Sequence, residues 1–568
     1  MKGFVRSSML AMALASVSSP LFAQAPADAS SAATTPSGRT GNYNALTALW
    51  SDWRKFVLPT TKDYLPDYSA AAMAAKQAEL PKYFARLKAI DTTGWSESAL
   101  IDYKLVLAEM NGMDFELRVL TPWSRDPTFY ANVFADWSDV PAHEGPYAYP
   151  NLDLYNLKYP LSAKDEKALT AMMVSVPKLL AAAKVNLKDG NARDLWLYGD
   201  RAFKDQSANL AALGNGTLIL RTLDGPVSAN IAGTGPKLKK AIADAKAATD
   251  DFAAWVAAEA PKKTGPIGVG KEAYNWHAKN VQMIPYDWDA QVTLLRRELD
   301  RSIASLRLEE LRNRDVPQVV EISDPEAYRK MAEAKVAFLS DFIEKSGFAD
   351  AKPYLRKALS YHAGSYSPPG QRNFFSHVTA LDPMPLQSHS THWMDLARMR
   401  EEPNSSPIRR LPPLFNIYAD RSEGFATALE EVFMQAGLYD TVPHGRELVW
   451  IMLANRAARG LASLYVQSNE WDLATAGKFH AEWTPRGWSD PESPLVGFEQ
   501  LLYARQPGYG PSYVTGKLEL DHLLAQVSFE ADQAKKPFVI SDVMAQIWAA
   551  GVIPVPLIEA EMTTGTTK

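Results

Sequence analysis

Between Tyr43 and Gln533 the chain repeats apolar residues three and four positions apart, in segment after segment. That spacing places apolar side chains on one stripe of a helix, whereas a half-buried strand would alternate them. It predicts helices over residues 43–56, 69–87, 97–117, 163–187, 192–213, 236–257, 286–308, 324–345, 423–436, 446–467, 471–483 and 513–533. Start signals support several of them: Ser162 stands ahead of Glu166, Ser323-Asp324 ahead of a long amphipathic run, and Ser422 directly before Glu423. Helices of this length joined by short Pro/Gly loops describe an all-α protein, expected here as a single large multi-helix domain around a deep groove over residues 43–568. Two segments interrupt the pattern. Residues 121–160 are rich in Trp, Tyr and Pro, and residues 365–385 in Pro, Gly and aromatics. Long irregular loops in a compact domain usually line or cover a cleft.

The first residues read as a processing signal. Lys2 and Arg6 precede a short apolar run from Met9 to Val17, and Leu21-Phe22-Ala23 has the small-residue ending of a cleavage site. The run falls short of the roughly 20 apolar residues that cross a bilayer. Residues 1–23 are therefore expected to be a signal peptide. Residues 24–42, rich in Ala, Ser, Pro and Thr, are expected to be a disordered leader with too little apolar surface to offset its ordering entropy. No further membrane segment is expected after cleavage, and the periplasm is the expected compartment.

Composition removes several functional classes. The chain has no cysteine, which excludes disulfide scaffolds, thiolate metal sites and a cysteine nucleophile. Its net charge is −5 with both signs interspersed, so no nucleic-acid partner is expected. No Gly-x-Ser-x-Gly elbow, phosphate-cradling loop or dinucleotide fingerprint occurs in a supporting context. The oligomeric state cannot be read from the sequence.

Polar residues nevertheless cluster at recognisable spacings. His389 and His392 lie three apart, as they would on one helical face, and with Glu423 they form a possible metal set. Arg456, Arg459, Ser463 and Gln467 form one polar stripe along an otherwise apolar helix, a pattern that a solvated face would also give. Tyr509, Tyr513 and Lys517 form a second group, with Tyr513 and Lys517 one turn apart. His143-Glu144 lacks a second histidine four residues on and is not a zinc signature.

Several segments in order resemble the bacterial family catalogued as domain of unknown function 885, whose members look like relatives of helical zinc-dependent peptidases. They are Gly268-Val-Gly-Lys-Glu-Ala-Tyr274, Tyr366-Ser-Pro-Pro-Gly370 with an extended 373–378 segment, Glu423-Gly-Phe-Ala426, Gly437-Leu-Tyr439, Arg456-Ala-Ala-Arg459, Trp471, and Pro507-Gly508 leading to Ser512-Tyr513 and Gly516. The resemblance covers most of the chain after the leader and is weaker in its first half. It implies a helical zinc-peptidase type of fold and turns the Arg456–Gln467 stripe inward. It also implies a departure at the metal site. Aligned on His392, the family's His-Glu pair becomes Leu386 and Gln387, and its later Asp and His become Ser463 and Gln467. Where the family has Gln, this chain has Tyr509.

Three functional classes follow. The preferred one is a metal-independent hydrolase or lyase without cofactor, acting on a small or oligomeric carboxylate-bearing substrate. In it His389, His392, Glu423 and Tyr513 do the chemistry, while Arg456, Arg459, Gln387, Gln467, Tyr509 and Lys517 bind substrate. The second is a zinc-dependent peptidase-like hydrolase with His389, His392 and Glu423 as the altered ligand set. The third is a pseudoenzyme that binds a ligand or partner without turnover.

Overall fold

The computed structural model describes residues 42–138 and 150–563. Within them helices pack on helices, and strand is confined to three two-stranded pairs. The signal peptide, the leader up to residue 41 and His143-Glu144 lie outside the described residues.

Predicted helices recur with small shifts in their ends. Observed helices include Tyr43–Val57, Ala163–Asn186, Pro236–Glu259, Pro325–Lys345, Gly445–Gln467 and Leu473–Trp483. The 192–213 segment is two helices, Arg193–Leu197 and Asp200–Gly214, separated at Tyr198-Gly199. Residues 373–378 are not extended: Asn373 caps the helix Phe374–Leu381 through a reciprocal bond with Ser376, so the 365–385 loop is partly helical. The helix Ala163–Asn186 has the length and hydropathy of a membrane span, 24 residues at 1.4, which the sequence reading did not anticipate. It buries Leu169, Met173 and Leu180 and packs against the Pro236–Glu259 helix.

The element that organises the site is Gly445–Gln467. It is buried on nearly all sides, against Trp288–Arg312, Tyr509–Gln533, Leu473–Trp483 and Pro494–Arg505. A helix surrounded in this way has no solvated face. Arg456, Arg459, Ser463 and Gln467 accordingly point into protein, each at most 2% exposed.

Glycines set how closely its neighbours approach. A Cβ on Gly460 would lie 2.7 Å from Leu295, and one on Gly510 would lie 2.7 Å from the Ser463 Cβ. The Glu423-Gly424 segment touches the Tyr509–Gln533 helix backbone to backbone, since a Cβ on Gly424 would stand 2.4 Å from the Gly516 Cα. This contact carries Glu423 to the tyrosines of that helix.

Ser422 does not cap a helix. Residues Asp420–Gly424 form a wide π turn that runs directly into the helix Phe425–Gln435. Such a turn shifts the register by one residue and is a frequent way of aiming a side chain at a site.

Candidate functional site

Glu423 sits at the centre of a buried polar cluster on the wall of a cavity of about 440 Å³. That volume is in the range of small-molecule sites, about 300–1,000 Å³. Gln387, His389, His392, Glu423, Arg456, Arg459, Tyr509 and Tyr513 all line it. The residues come from four stretches of chain, and each is held for a stated reason.

His389 and His392 do not share one continuous helix. His389 ends the short helix Met384–His389 and His392 begins His392–Glu401, with Ser390-Thr391 between them. The break turns the two rings edge to face, with centroids 4.9 Å apart. His389 Nε2 lies 3.2 Å and His392 Nε2 3.4 Å from the same oxygen, Glu423 Oε2. The other oxygen, Oε1, accepts a short hydrogen bond from the Tyr509 hydroxyl. A second pairing fixes the π turn against the His392 helix: Arg421 donates from both terminal nitrogens to Asp395, at 3.1 Å each, and its guanidinium lies 4.1 Å over the Phe425 ring.

Burial alone would raise the pKa of Glu423. The hydrogen bonds and charges of His389 and His392 outweigh it and hold the carboxyl well below the usual range. Glu423 is therefore anionic at neutral pH. Burial likewise drives Tyr513 well above the ordinary tyrosine value, with the Glu423 charge adding to it and Arg459, 4.2 Å over the ring, opposing. Tyr513 keeps its proton.

His389 Nδ1 has two neighbours, Glu430 Oε1 at 2.9 Å and Arg456 Nη2 at 3.2 Å. Each ring tautomer thus has a partner. A proton on Nδ1 faces Glu430 and leaves the Nε2 lone pair towards Glu423 and His392. A proton on Nε2 faces Glu423, and Nδ1 then accepts from Arg456.

Both arginines, expected to bind a substrate carboxylate, are already paired with carboxylates of the chain. Arg456 donates to Glu430 at 2.6 Å, and Arg459 is bonded closely to Glu499, both pairs being buried. Two further expectations require correction. Gln467 lies outside the cavity, its amide donating to the carbonyls of Tyr503 and Ala504 at 2.8 and 3.1 Å, so it ties helices together. Lys517 also lies outside it, held by Asp521 at 2.7 Å and Glu431 at 3.1 Å. Gln387 does line the cavity, but its amide nitrogen is spent on the carbonyls of Ala332 and Ala363.

The donor chemistry suits a divalent cation. Single ligand atoms of His389, His392 and Glu423 all fall within 4.8 Å of one another. Bonds of about 2.0–2.1 Å to a tetrahedral zinc put neighbouring ligand atoms roughly 3.3 Å apart. The two imidazole–carboxylate separations, 3.2 and 3.4 Å, are close to that edge, and the two imidazole nitrogens lie within 4.8 Å of each other.

The family model described as "Bacterial protein of unknown function (DUF885)" matches residues 54–351. The chain belongs to this family. The match includes Gly268–Tyr274 and spans the first half, where the resemblance by motif is weaker, and it ends before the cavity residues of the C-terminal half. Two solved structures have a similar fold. One is a protein of unknown function from Shewanella oneidensis, provisionally described as a lipoprotein, 13% identical, with a TM-score of 0.61 over 92% of this chain and 100% of that one. The other is a protein from Colwellia psychrerythraea, also provisionally described as a lipoprotein, 13% identical, with a TM-score of 0.62 over 91% of this chain and 96% of that one. No curated protein matches the chain.

Glu430, Glu499, Asp395 and Arg421 belong to the site through contacts that no sequence motif marks. Glu430 stands seven residues after Glu423, two turns along, and that spacing was available as a signal. Glu499 lies in a helix whose apolar spacing was not recognised, Pro494–Arg505.

Proposed function

We propose that the cavity is the active site of a metal-assisted hydrolase or lyase of a small carboxylate-bearing substrate, in which His389, His392 and Glu423 hold a zinc-type divalent cation. The observation that carries this reading is the approach of both imidazole Nε2 atoms to one carboxylate oxygen, at 3.2 and 3.4 Å. A bound ion of this kind supplies Lewis-acid polarisation of a carbonyl or an activated water at neutral pH. The chain's own residues do the rest. Glu423 brings the negative charge, and Tyr509 orients it from the far oxygen. Glu430 favours the His389 tautomer with a proton on Nδ1. Tyr513, which keeps its proton, is the donor for an oxygen gaining negative charge. Gln387 carries no ionisable proton and takes no acid–base role. Trp393 and Phe375 give the cavity apolar walls beside these groups.

A second reading rests on the Arg456 contact. With its proton on Nε2, His389 donates to Glu423 and accepts from Arg456 at 3.2 Å, a metal-free acid–base couple. The site then works as a hydrolase or lyase without cofactor.

Turnover on N-acyl amino acids and short peptides, before and after chelation, separates the readings. Loss on chelation with recovery on added zinc supports the first. Chelator-resistant turnover that Glu423→Gln abolishes supports the second. Binding without turnover by any sample would make the protein a pseudoenzyme. The periplasm is proposed as its location, on the charged and apolar pattern of residues 1–23 and the likeness to two proteins provisionally described as lipoproteins.

A further inference from the structure

With Arg456 and Arg459 committed to Glu430 and Glu499, the cavity needs another cation if it is to hold an acid. The described lining contains one that is not ion-paired. Arg221 lies on the first strand of the hairpin Ile219–Thr222/Gly225–Ser228, which forms part of the cavity wall with Tyr361 and His362. Its backbone is anchored independently of its side chain: its N–H donates to Asp136 Oδ1 at 3.1 Å, and its carbonyl accepts from Trp137 N–H at 2.9 Å. Its guanidinium lies 5.5 Å over the ring of Trp393, the residue that follows His392. Nε and Nη2 are shielded from solvent and make no hydrogen bond.

Arg221 is partly exposed as a residue, yet two shielded guanidinium nitrogens with unused donors are costly unless something accepts from them. Its planar fork matches a carboxylate in two parallel bonds. We propose that Arg221 is the specificity residue of the cavity and receives the carboxylate of the substrate, so that the bond to be broken faces Glu423 while the acid end sits at the hairpin. Asp136 also lines this end of the cavity, and a dianion such as a phosphate monoester would meet its repulsion where a single negative charge neutralises the arginine. The aromatic neighbours Trp393, Tyr361 and Phe375 suit an acid with an apolar or aromatic body. The proposal rests on the cavity being a ligand site; capture of the carboxylate by Arg221 requires neither a bound metal nor turnover, whereas the placing of the scissile bond follows the proposed function.

The probes are benzoyl-glycine and its neutral amide, with inorganic phosphate as a third ligand, titrated calorimetrically into the full-length protein. The wild type should bind the acid at least tenfold more tightly than the amide. Arg221→Gln should bring that ratio close to one, and Arg221→Lys, which keeps the charge but not the fork, should fall between. His392→Ala should leave the ratio unchanged even where it removes metal or activity, so a failure of the metal reading is visible separately. Equal binding of acid and amide, a preference that survives Arg221→Gln, tighter binding of phosphate than of the acid, or no saturable binding of the acid would each overturn the assignment.

Discussion

A Cβ added to Gly516 would stand 2.1 Å from the carbonyl oxygen of Asp420. The π turn that carries Glu423 therefore rests directly on the backbone of the helix that carries Tyr509 and Tyr513. Gly516→Ala must push the two apart. Overpacking of a rigid contact costs about 1–3 kcal/mol, and here neither partner is a flexible side chain, so the upper end is expected. Chemical denaturation should show this loss, and the variant should bind zinc more weakly, because Glu423 moves away from Tyr509.

Asp420 and Glu519 form a buried acidic pair beside the same contact. Burial pushes Asp420 up to about 7, and burial together with the Asp420 charge drives Glu519 well above its usual value. Among the described residues, Tyr274, Tyr286 and Glu559 also interact with the pair, and none of these three is a cation. An unfolded Asp loses its proton near pH 3.9, whereas folded Asp420 keeps it to about 7. The folded state then holds more protons in that window, so stability falls as pH rises from about 4 to 7. Asp420→Asn should flatten this slope and raise the unfolding free energy at pH 8 by about 1–3 kcal/mol, while changing little at pH 4. A variant less stable than the wild type at pH 8 would contradict this account.

Arg459 and Glu499 are a buried ion pair beside the cavity. Glu499→Gln leaves the guanidinium uncompensated and should cost about 3–5 kcal/mol of stability. The double variant Arg459→Met, Glu499→Leu should recover most of that loss. If Glu499→Gln alone is tolerated without penalty, Arg459 is being neutralised by something other than Glu499. Loss of activity in Arg459→Ala consequently needs a stability measurement beside it, since packing and charge balance change together.

The helices were legible because each buries an apolar stripe of period near 3.6, and the long ones, such as Pro325–Lys345, carry enough turns to show it. Short helices escaped. Met384–His389 and His392–Glu401 are six and ten residues long, and their break lies between the two histidines, so spacing alone put both on one face. The inward direction of Arg456 and Arg459 came from the family resemblance, since a polar stripe reads equally as a solvated face. Their pairing with Glu430 and Glu499 depends on contacts 26 and 40 residues apart in the chain, which periodicity does not encode. Lys517 and Gln467 were misplaced for the same reason: a residue one turn from a site residue can still face a different neighbour. Arg221 lay in a hairpin that the helical reading had no place for.

The direct test of the proposed centre is a calorimetric titration of zinc into protein stripped by chelator. One equivalent is expected to bind the wild type, with the affinity lost in Glu423→Gln and in His392→Ala while both variants keep their helical circular dichroism. Absence of zinc binding by the wild type, or an affinity unchanged in either variant, would contradict the assignment of His389, His392 and Glu423 as its ligands.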